Sequence, residues 1–66
     1  MYQNEFTIKQ EYRAKGYTFV GSVNTNPKAY DAYQKSNNRE SIEIGRCLHL
    51  VILHDLKAMV EIDPGD

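Results

Sequence analysis

Residues 42–62, IEIGRCLHLVILHDLKAMVEI, alternate between apolar and polar side chains more regularly than any other stretch of the chain. Every even-numbered position in this stretch is apolar except Arg46 and His54. Successive side chains of a β-strand point to opposite faces of a sheet, so a period of two indicates strands with one face on a core. The pattern therefore predicts that the C-terminal third of the chain is sheet.

A hairpin is the natural way to fold this stretch, because it is longer than a usual strand. Residues paired across antiparallel strands share a face, so keeping the even-numbered set together requires a loop with an odd number of residues. A loop at His54-Asp55-Leu56 would place His49 opposite Glu61, and a loop over 53–57 is the alternative. The last strand, about 57–63, would form an edge of the sheet.

A helical interpretation of residues 39–54 competes with the hairpin. On a helical wheel the polar side chains gather within one sector, which contains Arg39, Glu43, Arg46, His54, Lys57 and Glu61. Gly45 and the abundance of Ile and Val argue against a helix. We favour the strand interpretation, with a helix followed by a strand from Leu56 as the alternative.

The N-terminal half predicts a helix and a strand. The helix spans about 4–15, with Gly16 in the position of a left-handed C-terminal cap; alternation of Tyr2, Phe6 and Ile8 leaves a short opening strand as the alternative. The strand covers 17–23, which is rich in aromatic and β-branched residues and would present Tyr17, Phe19 and Val23 on one face.

A second helix is predicted to begin at Asn26-Pro27 and to continue to about Ser36. Asparagine is a favourable N-cap, and proline suits the first helical position. Asn37-Asn38 tolerates left-handed backbone and would close the helix. The expected fold is therefore α+β, with two short helices packed on a three-stranded, mainly antiparallel sheet in the order α-β-α-β-β, ending in a C-terminal hairpin.

Size and composition indicate a single small domain over residues 1–63, followed by a flexible tail at 64–66. The chain has 66 residues and a net charge of −1, so no global charge attracts it to nucleic acid or acidic lipid. One cysteine, no signal-peptide pattern and no long apolar run predict a soluble cytoplasmic protein without membrane association.

Potential metal ligands occur together only at Cys47, His49, His54 and Asp55. Their spacing matches no known zinc pattern, and we expect no metal or other cofactor. The sequence also contains no carboxylate pair, glycine-rich phosphate loop or nucleophile motif. We therefore expect a protein that is not an enzyme.

Tyrosine supplies most of the aromatic area, because the chain has five tyrosines and no tryptophan. Tyrosine is enriched at binding surfaces, where it offers apolar area with a polar tip. The predicted protein-binding patch lies on the second helix and just beyond it, and comprises Tyr30, Tyr33, Lys28, Lys35 and Arg39. Packing of either tyrosine onto the sheet is the structural alternative.

The function predicted from these features is a non-enzymatic regulator, adaptor or inhibitor that binds another protein through the tyrosine-bearing helix and an exposed sheet edge. A homodimer is a further expectation, since it would stabilise so small a domain. The alternative is a nucleic-acid-binding module. Its basic face, within residues 9–39, would require both helices on the same side of the sheet and would comprise Lys9, Arg13, Lys15, Lys28, Lys35 and Arg39.

Overall fold

The structure, a computed structural model, describes residues 3–23, 31, 33–46 and 48–63. Its regular elements in chain order are α1 (Glu5–Ala14), β1 (Thr18–Ser22), β2 (Arg39–Glu43), β3 (His49–Leu53) and β4 (Ala58–Ile62). Asp31 and residues 33–35 are also helical and belong to the second predicted helix. The predicted helix start at Asn26-Pro27 and the predicted tail at 64–66 lie outside the described residues.

The strands form one mixed sheet in the spatial order β1-β4-β3-β2. β1 pairs with β4 in parallel, while β3 pairs antiparallel with both β4 and β2. The α+β class is confirmed, but the described sheet has four strands rather than three. The prediction missed a strand because it treated 42–62 as two strands, whereas Gly45 and Arg46 bend the chain between β2 and β3.

The helical interpretation of residues 39–54 is wrong, since β2 and β3 occupy most of that range. A tight connection closes this antiparallel pair: Ile44 N and Gly45 N both donate to Leu48 O, each at 3.3 Å. The β-branched residues that argued against a helix fit the pleated, half-buried surface of a sheet.

Both faces of the sheet are covered. Leu50 and Ile52 pack with Ile8 of α1 in one cluster, while Val51 and Leu53 pack on the other side in a second cluster. These β3 residues alternate along one strand, so the two clusters lie on opposite faces. We call them the α1 face and the Tyr33 face, because Tyr33 of the second helical segment packs against the second cluster.

Coverage of both faces explains why the predicted hairpin register is wrong. Leu53 pairs with Ala58, so the loop is the four-residue turn 54–57, and His49 pairs with Ile62 rather than with Glu61. The odd-loop rule assumed one apolar face, but β3 after His49 and the first half of β4 are apolar at every position. Lys57, the last residue of this turn, takes a left-handed conformation with φ +53°.

The predicted sheet edge at 57–63 is also wrong, because β4 lies between β1 and β3. The outer strands of the described sheet are β1 and β2. The chain crosses from one edge to the other between β1 and β2, through the second helical segment, which leaves β1 beside β4. A local pattern contains no signal for such a long-range parallel pairing.

The predicted N-terminal elements are confirmed, with one correction. α1 begins at the N-cap Asn4, whose side chain accepts a hydrogen bond from Thr7 N at 3.1 Å. β1 contains a bulge between Phe19 and Gly21, which puts Phe19 on the α1 face and Val23 on the Tyr33 face. The prediction that these two side chains share a face is therefore wrong, because the extra residue reverses the alternation.

Candidate functional site

Four polar and aromatic side chains meet where the β3–β4 turn approaches α1 and β2. Tyr17 Oη lies 2.9 Å from His54 Nδ1, and His54 Nε2 lies 3.0 Å from Glu40 Oε1. Tyr12 Oη donates to the same Glu40 oxygen at 3.3 Å. We call these residues, Tyr12, Tyr17, Glu40 and His54, the Tyr–His–Glu cluster.

Backbone hydrogen bonds hold the cluster in place. Tyr17 N donates to Tyr12 O at 2.9 Å, just beyond the end of α1 at Ala14, where Gly16 with a φ of +97° turns the chain back toward the sheet. His54 N donates to Asn38 O at 2.8 Å, which extends the β2–β3 ladder by one pair. The cluster thus depends on three elements that are distant in sequence.

The donors and acceptors of the cluster imply one tautomer for neutral His54. Glu40 as a carboxylate can only accept, so the proton of the neutral imidazole belongs on Nε2. His54 Nδ1 is then an acceptor and receives the hydroxyl proton of Tyr17. When the imidazole is protonated, Nδ1 also donates, and the Tyr17 hydroxyl must turn its own proton elsewhere.

The two tyrosine rings pack edge to face, with centroids 5.1 Å apart and an interplanar angle of 79°. Burial raises the pKa of the Tyr12 hydroxyl, and the neighbouring Glu40 carboxylate raises it further. Two ammonium groups lie over the rings: Lys15 Nζ is 4.8 Å from the Tyr12 centroid, and Lys57 Nζ is 4.7 Å from the Tyr17 centroid. The Tyr–His–Glu cluster therefore contains one carboxylate, and two lysine ammonium groups flank it.

Asp55, beside His54 in the turn, connects to the end of the second helical segment. Ser36 Oγ donates to Asp55 Oδ1, and Asn37 N donates to Asp55 Oδ2 at 3.0 Å. These hydrogen bonds lower the pKa of the Asp55 carboxyl, because they stabilise its charged form. The turn therefore ties the residues that precede β2 to the sheet.

The residues predicted to bind protein are only partly brought together among the described residues. The Arg39 guanidinium carbon lies 4.8 Å from the Tyr33 ring centroid, and Arg39 Nη1 donates to the carbonyl oxygens of Tyr33 and Ser36 at 3.0 and 2.8 Å. Lys35 pairs with Asp31 at 3.1 Å on the exposed side of the segment. Lys28 and Tyr30 lie outside the described residues.

Tyr33 is half-buried against the second hydrophobic cluster. Tyr33 therefore packs onto the sheet, which is the structural alternative that the sequence analysis gave to a role in binding. Its link to Arg39, the first residue of β2, joins the helical segment to the edge of the sheet.

The outer edge of β2 is the second notable feature. His54 N bonds to Asn38 O and Ile44 N bonds to Leu48 O, at the two ends of the β2–β3 ladder. Hydrogen-bonded pairs alternate in an antiparallel ladder, so the even-numbered residues of β2 direct their backbone groups toward β3. The backbone groups of Arg39, Ser41 and Glu43 point away from the sheet.

Only one of these outward groups meets another described backbone group. Gln3 N donates to Glu43 O at 3.2 Å, which also confirms the direction of the odd-numbered residues. Within the described ranges no strand pairs with this edge. All β2 side chains are exposed except that of Ile42, which is partly buried on the α1 face.

The ligand cluster considered from the sequence is dispersed. His49 lies on β3 and pairs with Ile62. His54 hydrogen-bonds to Tyr17, whereas Asp55 accepts a hydrogen bond from Ser36. Cys47 lies outside the described residues. Across the described ranges, no three His, Cys, Asp or Glu residues are grouped to hold a metal ion. The part of the chain that the structure describes shows no cavity and no helix long and apolar enough to cross a membrane.

The sequence reasoning did not single out Tyr12, Tyr17 or Glu40 as site residues. Nothing in the sequence distinguished Glu40 from other charged residues. Its contact with His54 depends on the pairing of β2 with β3, so predicting it would have required the correct strand register. Comparison with protein-family models, with curated proteins and with solved structures found no match for this chain.

Proposed function

We propose that this chain is a non-enzymatic binding protein, namely a small regulator, adaptor or inhibitor. An extended segment of another protein chain pairs with the outer edge of β2 and extends the sheet by one strand. The observation that carries the proposal is the outward direction of the backbone groups of Arg39 and Ser41 on a strand with no described neighbour on that side. Extended segments bind such edges through main-chain hydrogen bonds, and neighbouring side chains provide specificity.

Two side-chain groups border this edge and would supply specificity. Arg39 connects the edge to Tyr33 and the second helical segment on one face. Glu40 connects it to the Tyr–His–Glu cluster on the other face. Aromatic side chains therefore lie beside β2 on both faces of the sheet, Tyr33 on one face and Tyr12 on the other.

The nucleic-acid alternative requires both helices on the same side of the sheet, whereas α1 and the second helical segment pack on opposite faces. Lys9, Arg13 and Lys15 belong to α1 and its cap, whereas Arg39 stacks on Tyr33 across the sheet. Lys9 is moreover paired with Glu5 at 2.6 Å. The described cations therefore face different directions, which argues against a single basic face.

A proline scan of β2 tests the proposed function. Ser41→Pro removes an N–H that points away from the sheet, so the fold should survive while strand addition fails. Ser41→Ala keeps that N–H and is the matched binding control. Ile42→Pro removes an N–H that bonds to β3 and should unfold the chain, which checks the assignment of inward and outward residues.

The measurement is quantitative capture on the immobilised full chain from a native lysate, with thermal unfolding as the folding control. We expect a defined protein that is retained by the wild type and by Ser41→Ala and is lost with folded Ser41→Pro. Retention of the same proteins by all three chains would overturn edge recognition.

A further inference from the structure

The side chains of β2, Arg39-Glu40-Ser41-Ile42-Glu43, are complementary to their own reverse. When two copies of this strand run antiparallel about Ser41, Arg39 of each copy lies opposite Glu43 of the other. Opposite charges at directly paired positions stabilise an antiparallel pair, and like charges destabilise it. Parallel alignment about the same centre would instead set arginine against arginine and glutamate against glutamate.

The backbone supports the same alignment. Arg39, Ser41 and Glu43 are the residues whose N–H and C=O groups point outward, and this register pairs them only with one another. Ser41 can exchange two hydrogen bonds with its counterpart. Gln3 N, which donates to Glu43 O at 3.2 Å, lies where the N–H of a facing Arg39 would approach that oxygen. Pairing of the two β2 strands therefore requires Gln3 to leave Glu43 O, after which each Arg39–Glu43 pair can exchange both hydrogen bonds.

The paired side chains also lie on the same face. Arg39 stacks on Tyr33, which identifies the Tyr33 face as the side of the odd-numbered residues of β2. Arg39 uses Nη1 for the carbonyls of Tyr33 and Ser36. A guanidinium carries five N–H donors, so others remain for a carboxylate. Its contacts within the chain hold it at the edge where a facing Glu43 would reach it.

We propose that the occupant of the β2 edge is a second copy of this chain, paired antiparallel about a two-fold axis at Ser41, so that the two sheets become one. This inference rests on the proposed function, because it names the partner of the same edge. Closure by a two-fold axis uses each β2 edge once and prevents open-ended pairing there. It would also enlarge a domain whose size limits the stability of its core.

Disulfide trapping tests the register. In a Cys47→Ser background, Ser41→Cys places two thiols at the axis, where Cα atoms of a hydrogen-bonded pair are about 5.5 Å apart and suit a disulfide. Glu43→Cys is the matched control, since its two copies would lie about 14 Å apart along the strands. We expect oxidised dimer with Ser41→Cys alone. Equal cross-linking of both variants, or of neither, would overturn the register.

Charge reversal provides a second, independent measurement by analytical ultracentrifugation. The wild type should form a dimer, and Glu43→Lys should weaken it by about tenfold or more, because a lysine then faces Arg39 in both charge pairs. Arg39→Glu should weaken the dimer as well, because a glutamate then faces Glu43 in both charge pairs. A mixture of the Arg39→Glu and Glu43→Lys chains should form a heterodimer, because each of its two facing pairs joins opposite charges. Circular dichroism checks that both variants are folded.

The outcomes separate this inference from the proposed function. A wild-type chain that stays monomeric at all concentrations overturns self-pairing, while capture of a different protein that is sensitive to Ser41→Pro would still support edge recognition. A dimer that Ser41→Pro leaves intact overturns self-pairing through this edge. A dimer that Ser41→Pro abolishes and Ser41→Ala retains supports both.

Discussion

Tyr17 and His54 lie 37 positions apart in the sequence, yet the Tyr17 hydroxyl is 2.9 Å from His54 Nδ1. Tyr17 immediately precedes β1, and His54 immediately follows β3, so the bond spans β4, which lies between these strands. Their rings meet at 90° with centroids 5.8 Å apart. This contact joins the segment that follows α1 to the β3–β4 turn within the Tyr–His–Glu cluster.

Removing the Tyr17 hydroxyl should destabilise the protein modestly. Tyr17→Phe keeps the ring but leaves His54 Nδ1 without its donor, and we expect a loss of about 1 kcal/mol in the free energy of unfolding. Urea denaturation measures the loss, and ¹⁵N spectra of the imidazole should show a changed Nδ1 environment. Tyr12→Phe is the matched control and should have a smaller effect, because its bond to Glu40 is longer (3.3 Å) and exposed. An unchanged imidazole spectrum in Tyr17→Phe would contradict the assigned contact.

The stabilisation from Asp55 should depend on pH. Its pKa in the folded state is lowered, so the contribution is fully present above the ordinary value of 3.8 and is lost as the pH falls through the lower, folded-state pKa. The wild type should therefore exceed Asp55→Asn in urea midpoint at about pH 6, and this difference should shrink below pH 3.8. Ser36→Ala should reduce the same difference, because it removes the main donor to the carboxylate. A difference that persists at the lowest pH would contradict this explanation.

Lys57 is the one non-glycine residue with positive φ among the described residues, and its ammonium lies over the Tyr17 ring. Lys57→Gly relieves the left-handed backbone but loses the ammonium over the Tyr17 ring, whereas Lys57→Ala loses the ammonium and keeps the strain. We expect the glycine variant to be about 1 kcal/mol more stable than the alanine variant. Thermal unfolding of the pair measures the difference, and equal stability would mean that the turn relaxes in solution.

Shortening a buried side chain of the central strand β3 should destabilise the whole fold. Ile52 is completely buried on the α1 face, and Ile52→Ala should lower the free energy of unfolding by about 2–5 kcal/mol. A domain of this size has a total of roughly 3–10 kcal/mol, so the variant should be partly unfolded at about 37 °C. Phe6→Ala is the control, because Phe6 is 68% exposed and its truncation should change stability by less than about 0.5 kcal/mol. Similar losses in both variants would show that Phe6 is buried in solution.

Local sequence patterns determined most of the elements. Asn4 and Gly16 mark the ends of α1 because capping depends on residues within one turn. The aromatic and β-branched run after Gly16 forms β1 for the same kind of local reason. The alternation in 42–62 correctly indicated sheet, since a period of two reflects the geometry of a single strand.

The tertiary structure decided what those strands pair with and which side chains meet. β3 is buried on both faces, so the assumption of a single apolar face, on which the predicted loop depended, is wrong. Because β1 pairs in parallel with β4, residues 57–63 are not an edge, and the outer strands of the described sheet are β1 and β2. Parallel pairing and the meeting of Tyr17, Glu40 and His54 arise from contacts between distant segments, which a periodic pattern does not encode. The sequence by itself therefore determined a small α+β chain with a C-terminal sheet, and long-range packing determined its candidate site.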